Sequence, residues 1–236
     1  CANFGTIYAT TYAIAGTHGV GGIIGYVEEY ANITNCYNAG TVTNSSSSSR
    51  AWRAFAGGVV GVVYGSGVIS GCFNSGDVVG IFSGVNNNFS GVGGVIGISY
   101  NDTSISNCYN KGNVSSQTAV GGVVGNGDAT NCYNTGSVSG SGGSVYAGGV
   151  VGNGEASYCY NEGNVSSASS AYAGGIVGSG NATYCFNTAS LSAQSHLGGV
   201  VGSGSPQYCY NIGDVSSTGG NIYLGGLCAS GSANNC

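Results

Sequence analysis

A five-residue unit, Gly-Gly-apolar-apolar-Gly, begins at Gly21, Gly57, Gly93, Gly121, Gly148, Gly174 and Gly198, with a variant at Gly225. The intervals are 36, 36, 28, 27, 26, 24 and 27 residues. A second unit, Cys-aromatic-Asn, falls at Cys36, Cys72, Cys108, Cys132, Cys159, Cys185 and Cys209. It is usually followed by x-Gly-x-apolar, as in Cys132-Tyr-Asn-Thr-Gly-Ser-Val138. The distance from pentad to Cys is 15 residues in the first three copies and 11 in the last five. A unit this short cannot bury its own apolar side, so repeated copies must stack and share one core. The ends keep the phase. Cys1-Ala-Asn-Phe-Gly-Thr-Ile7 fits the second unit with Ala2 in the aromatic position, and Cys236 stands 11 residues after Gly225. The sequence therefore spans eight whole repeats.

Composition alone points elsewhere. With 48 Gly in 236 residues and 5% charged residues, a chain without a period would read as disordered. The period reverses that reading. Each apolar run is four or five residues long, rich in β-branched side chains and interrupted by Gly, which favours strands over helices. The pattern predicts an all-β fold, a parallel β-solenoid of about eight stacked coils with 24–36 residues per coil. It is expected as one domain over 1–236, with the longer coils in 1–120 and the shorter ones in 121–236. Two or three strands per coil are expected: the pentad, the run approaching Cys, and the Gly-x-Val segment. In the last, Val42, Val78, Val114, Val138, Val165, Leu191 and Val215 should point inward between outward polar neighbours. Gly is expected at positive-φ corners. Coils stacked in register ~4.8 Å apart place a Cys row, an aromatic row and an Asn row along the axis. A repeated Lys or Glu would form a like-charge ladder at that spacing, which explains why charge is scarce.

Three cations (Arg50, Arg53, Lys111) against eight acids give a net charge of −5, and no basic face for nucleic acid. No apolar run approaches the ~20 residues of a membrane span. No Met is present, which fits a processed chain or an excerpt. His18 and His196 have no HExxH motif or local acid, the acids form no calcium array, and no Cys-x-x-Cys pair exists. No catalytic, cofactor or metal site is expected.

The ten cysteines are Cys1, Cys36, Cys72, Cys108, Cys132, Cys159, Cys185, Cys209, Cys228 and Cys236. Disulfides between neighbouring coils are expected, because a ~4.8 Å Cα separation lies within the ~4.4–6.8 Å that a disulfide accepts. A buried row of reduced thiols is the alternative. Pairing could start with Cys1–Cys36 and leave Cys228 for Cys236. If copies stack end to end, Cys1 and Cys236 could instead form an intermolecular cross-link. Two longer segments, 44–55 and 81–90, break the regularity. The first is read as a lengthened corner with Trp52 as a lid over the core, with Arg50, Trp52, Arg53 and Phe55 as a lateral contact patch the alternative. Sequons begin at Asn32, Asn44, Asn88, Asn101, Asn113, Asn164 and Asn181, so these are candidate glycosylation sites.

Gly21-Gly-Ile-Ile-Gly25 followed by Ile33-Thr-Asn-Cys-Tyr-Asn-Ala-Gly-Thr-Val42 resembles the GLUG-motif repeats of bacterial surface and adhesin-type proteins. The resemblance implies structural or adhesive spacer repeats without catalytic residues. The expected function is a non-enzymatic extracellular structural protein, a head-to-tail filament subunit stiffened by disulfides, with itself as partner. The alternative is an adhesive or spacer segment of a larger cell-surface protein, with a glycan or protein ligand.

Overall fold

The computed structural model describes residues 1–11, 16–47, 51–82, 90–142, 145–168, 172–219 and 222–236. Among them there is no helix. Each of the first seven coils lays down five short strands, which in the second coil are Tyr37–Asn38, Val42–Ser46, Ala51–Gly57, Val60–Val63 and Gly67–Ser70, and the eighth lays down four. Their repetition builds five sheets, here A to E in that order, of eight, eight, eight, eight and seven strands. All pairings are parallel and nearly all in register. One row of sheet B, for example, runs Val42, Val78, Val114, Val138, Val165, Leu191, Val215. The first six are buried, as the alternation predicts. The fold is a parallel β-solenoid.

The cross-section holds two cores. Sheets B and C enclose one, with Val42, Val78 and Val114 facing Ala56, Val92 and Val120. Sheets D and E and the Cys corner enclose the other, with Val60, Ile96, Ile69, Ile105 and the cysteines. Between the two cores, sheets C and D lie back to back, nearer than any side chain allows. A Cβ on Gly125 would lie 2.5 Å from the Gly97 carbonyl oxygen and 2.6 Å from the Val92 nitrogen.

This contact revises the reading of the pentad. It is not one strand. The sheet C strand ends at its first Gly (Gly57) and the sheet D strand begins at its second apolar residue (Val60), so the pentad is the reversal between them. Its glycines are needed for close approach and not for left-handed backbone, since none of them has positive φ. The second Gly leaves room for the Asn row: a Cβ on Gly122 would lie 2.4 Å from Asn134 Cγ.

Left-handed corners do occur elsewhere. The residue before each Cys of the row adopts φ between 52° and 63°: Asn35, Gly71, Asn107, Asn131, Tyr158, Tyr184, Tyr208 and Asn235. The four extra residues of the first three repeats lengthen the strands of sheets D and E. Val60–Val63 corresponds to Val124–Asn126, and Gly67–Ser70 to Ala129–Thr130. The longer coils also carry a small third cluster, Phe55, Val62 and Ile98 against Tyr64 and Tyr100.

Candidate functional site: ladders along the solenoid axis

The Asn of each Cys-aromatic-Asn unit points inward between the two cores. Asn38, Asn74, Asn110, Asn134, Asn161 and Asn187 are fully buried. A buried amide must place its hydrogen bonds inside the protein, and stacking supplies the partners. Asn110 Nδ2 donates to Asn134 Oδ1 at 2.9 Å, and Asn134 Nδ2 donates to Asn161 Oδ1 at 2.9 Å. The same bond links Asn3 to Asn38 at one end and Asn187 to Asn211 at the other. The second Nδ2 hydrogen goes to the carbonyl two residues on, as from Asn134 to Gly136 at 2.7 Å. Every amide in the row therefore points its donor the same way along the axis.

The Cys row runs beside it. Cys108 N–H donates to Cys132 Sγ at 3.4 Å, Cys132 N–H to Cys159 Sγ at 3.4 Å, and Cys159 N–H to Cys185 Sγ at 3.3 Å. Each thiol in turn donates to the carbonyl two residues before it, as Cys132 does to Thr130 at 3.3 Å. The thiol thus satisfies a backbone N–H at a corner and fills an apolar space, a pairing of roles that Ala cannot match. A hydrogen bond to Cys132, together with burial, pushes the Cys108 thiol up to about 12. Cys72 and Cys209 are also raised, through hydrogen bonds to Cys108 and Cys185 and through burial.

The expected inter-coil disulfides are not met. All ten cysteines are free thiols. Cα spacing was the wrong criterion. In-register stacking sets the Cβ atoms as far apart as the strands, ~4.8 Å, beyond the ~3.5–4.5 Å that a disulfide needs. Cys228 does not belong to the row. It lies in sheet D opposite Val201, and Cys236 donates no cross-link to it. Cys1 and Cys236 are the exposed ends of the row. Maleimide labelling of the native protein is expected to tag Cys1 and Cys236 quickly and half-buried Cys228 more slowly, with the other seven reacting only on unfolding. Cys132→Ala should lower stability to urea by ~1–3 kcal/mol, while Cys132→Ser, which keeps an acceptor for Cys108 N–H, should lower it less.

Aromatic side chains form columns on the outside. Tyr37, Phe73, Tyr109, Tyr133, Tyr160, Phe186 and Tyr210 stack with ring centroids 4.0–5.1 Å apart, the row anticipated from the sequence. Three further columns were not anticipated, one of them Tyr26, Tyr64 and Tyr100 at 5.6 and 4.6 Å in the long coils; the other two keep one phase of the repeat. Tyr158, Tyr184 and Tyr208, at the left-handed corner, stack at 5.0 and 4.9 Å. On sheet C, His196 sits between Tyr172 and Tyr223 at 4.4 and 4.6 Å. Both were legible in principle, since Tyr recurs immediately before Cys in three successive repeats and an aromatic residue stands two before the pentad's first Gly in the last four.

Phe55 takes no part in the lateral patch. Phe55 is fully buried in the third cluster, so it offers nothing to a partner. Arg53 donates to the Tyr64 hydroxyl at 2.8 Å and lies over the Tyr100 ring at 5.7 Å. It clamps the outer seam of the long coils. Trp52 belongs to the strand Ala51–Gly57, but its side chain and Arg50 lie outside the described residues. Of the sequons, Asn32, Asn101, Asn113, Asn164 and Asn181 are exposed, and Asn88 lies outside the described residues. Asn44 is buried and donates to the Phe55 carbonyl at 2.9 Å, which leaves no room for a glycan. Among the described residues no group of His, Cys, Asp and Glu could hold a metal ion, and no helix is long and apolar enough to cross a membrane.

These ladders define a repeat protein of the parallel β-helix type. The family model of the GLUG motif matches residues 16–43 and 90–115, so these two stretches carry that motif. Each matched stretch begins in or just before a sheet C strand and ends early in the next sheet B strand, close to one turn of the solenoid. Comparison with curated proteins and with solved structures gave no match to either.

Proposed function

We propose that the protein is a non-enzymatic structural rod of the extracellular space whose copies stack head to tail into a filament. The observation that supports this reading is the likeness of the two axial faces. Both present the edges of sheets A to D in the same order, with apolar groups uncovered that the interior coils bury. Leu224 is 51% exposed, whereas Leu197, its partner in the next coil inward, is fully buried. Ile7 and Ile24 on the first coil and Val215 on the last are likewise only half-buried, whereas their partners Val42, Val60 and Leu191 are buried. The faces are also directional. Asn211 ends the Asn row with its donor leading and Asn3 begins it with its acceptor, so copies match head to tail and not head to head.

Electron microscopy of the purified protein is the test. Filaments with an axial repeat of roughly 38–40 Å are expected, from eight coils at ~4.8 Å. Gly226 gives a specific control. A Cβ there meets nothing within 4 Å in the single chain, whereas at the equivalent Gly199 it would lie 2.1 Å from the carbonyl of the next coil. Gly226→Ala should therefore leave the fold intact and abolish stacking. A monomer at every concentration would overturn the filament reading and leave a spacer role.

A further inference from the structure

The residue before each Cys must adopt left-handed backbone, which Gly and Asn accept readily and bulky side chains do not. Coils with Asn35, Gly71, Asn107 and Asn131 follow that rule. Three successive coils break it with Tyr158, Tyr184 and Tyr208, at φ of 55°, 55° and 53°. Residues held in such conformations point to function more than to stability. The result here is a column of phenols on the outer corner, 57%, 48% and 44% exposed, with ring planes within 11° of parallel. The neighbouring half-buried column has similar spacing but contains Phe73 and Phe186, so it does not require the hydroxyl. The exposed column is Tyr throughout.

We infer that Tyr158, Tyr184 and Tyr208 form an oxidative cross-linking site, at which neighbouring coils are joined by dityrosine bonds. The co-reactant is hydrogen peroxide acting through a haem peroxidase. Each of two phenols loses one electron and one proton, giving a pair of phenoxyl radicals. These couple between ring carbons ortho to the oxygens, and each carbon then passes its hydrogen to the phenoxyl oxygen to restore the aromatic ring. The balance is two tyrosines and one peroxide to one dityrosine and two waters. A quarter turn of each ring about Cβ–Cγ converts the stack into an edge-to-edge row in which ortho carbons of adjacent coils face each other. The exposed rings have solvent on the side into which they must turn. Tyr133 and Tyr160 are half-buried, and burial raises their hydroxyl pKa, so loss of the proton is opposed there. Such bonds would tie coils together along the axis, as the cysteines do not. The site lies on a lateral corner and remains open whether or not copies stack on their axial faces.

The test is treatment of the dilute protein with a haem peroxidase and hydrogen peroxide, followed by peptide mass spectrometry. Cross-linked peptides joining Tyr184 to Tyr158 or to Tyr208, each lighter by two hydrogens, are expected together with dityrosine fluorescence. Tyr184→Phe should abolish both links. Tyr184→Asn, which suits the left-handed backbone, should do the same with the fold retained by circular dichroism. Tyr158→Phe should leave only the link from Tyr184 to Tyr208. The inference is overturned if Tyr8 and Tyr30, both 68% exposed, are oxidised while the column yields no link. It is equally overturned if Tyr133–Tyr160 couples as readily, or if the yield survives Tyr184→Phe.

Discussion

Asn134→Leu is expected to split the solenoid's unfolding into two steps and to destabilise its centre by roughly 3 kcal/mol, at about 1 kcal/mol for each group left unpaired. Four hydrogen bonds are lost and three groups are left unpaired, since Asn161 Oδ1 keeps the Gly163 N–H at 3.2 Å. Asn110 Nδ2 loses its acceptor, Asn161 Oδ1 one of its donors, the Gly136 carbonyl its donor, and Gly136 N–H an acceptor at 3.2 Å. None can turn to water, because Asn110, Asn134 and Asn161 are fully buried. Leu has as many side-chain heavy atoms as Asn and leaves no cavity, and its bulkier methyl groups against Gly122 can only add to the loss. Stability in a repeat protein is close to a sum of nearest-neighbour interfaces, so one broken interface uncouples the two halves. Asn211→Leu, in the half-buried last position, removes one link of the row instead of two and should cost less. Equal urea midpoints for the two variants would refute the ladder as a source of stability.

The features legible in the sequence were those that repeat one residue type at one phase. Cys, Tyr or Phe, Asn and the inward Val each stack on their own kind, so the row is visible in the spacing alone. The number of strands was less visible. Tyr37–Asn38 and Ala129–Thr130 are strands of two residues, too short to show any alternation, and they exist only because the coils on either side hold them. The pentad misled for a physical reason. Gly-Gly-Val-Val-Gly reads as an apolar strand, yet its glycines mark the place where sheet C turns back against sheet D, a long-range contact with no local signature. Phe55 misled in the same way, because an aromatic beside Arg and Trp looks like a surface patch until Val62 and Ile98 are seen to cover it.

Gly122→Ala should be among the most damaging single-methyl changes in the chain's centre. The added Cβ would lie 2.0 Å from the Gly149 carbonyl oxygen and 2.4 Å from Asn134 Cγ. Overpacking of a core usually costs ~1–3 kcal/mol because side chains shift to other rotamers. Here one obstacle is backbone fixed by the Gly122 N–H bond to the Gly148 carbonyl at 3.1 Å, and the other is an amide committed to both neighbours in the row. Neither can yield without breaking a ladder, so a loss above ~3 kcal/mol is expected, seen as a lower urea midpoint and as proteolysis near residue 122. Backbone conformation contributes little to this, since φ at Gly122 is not left-handed. Gly226→Ala at the same pentad position supplies the comparison: with no atom near its Cβ, it should be neutral in the isolated chain. If both variants unfold alike, conformational freedom and not close approach is what the pentad glycines provide.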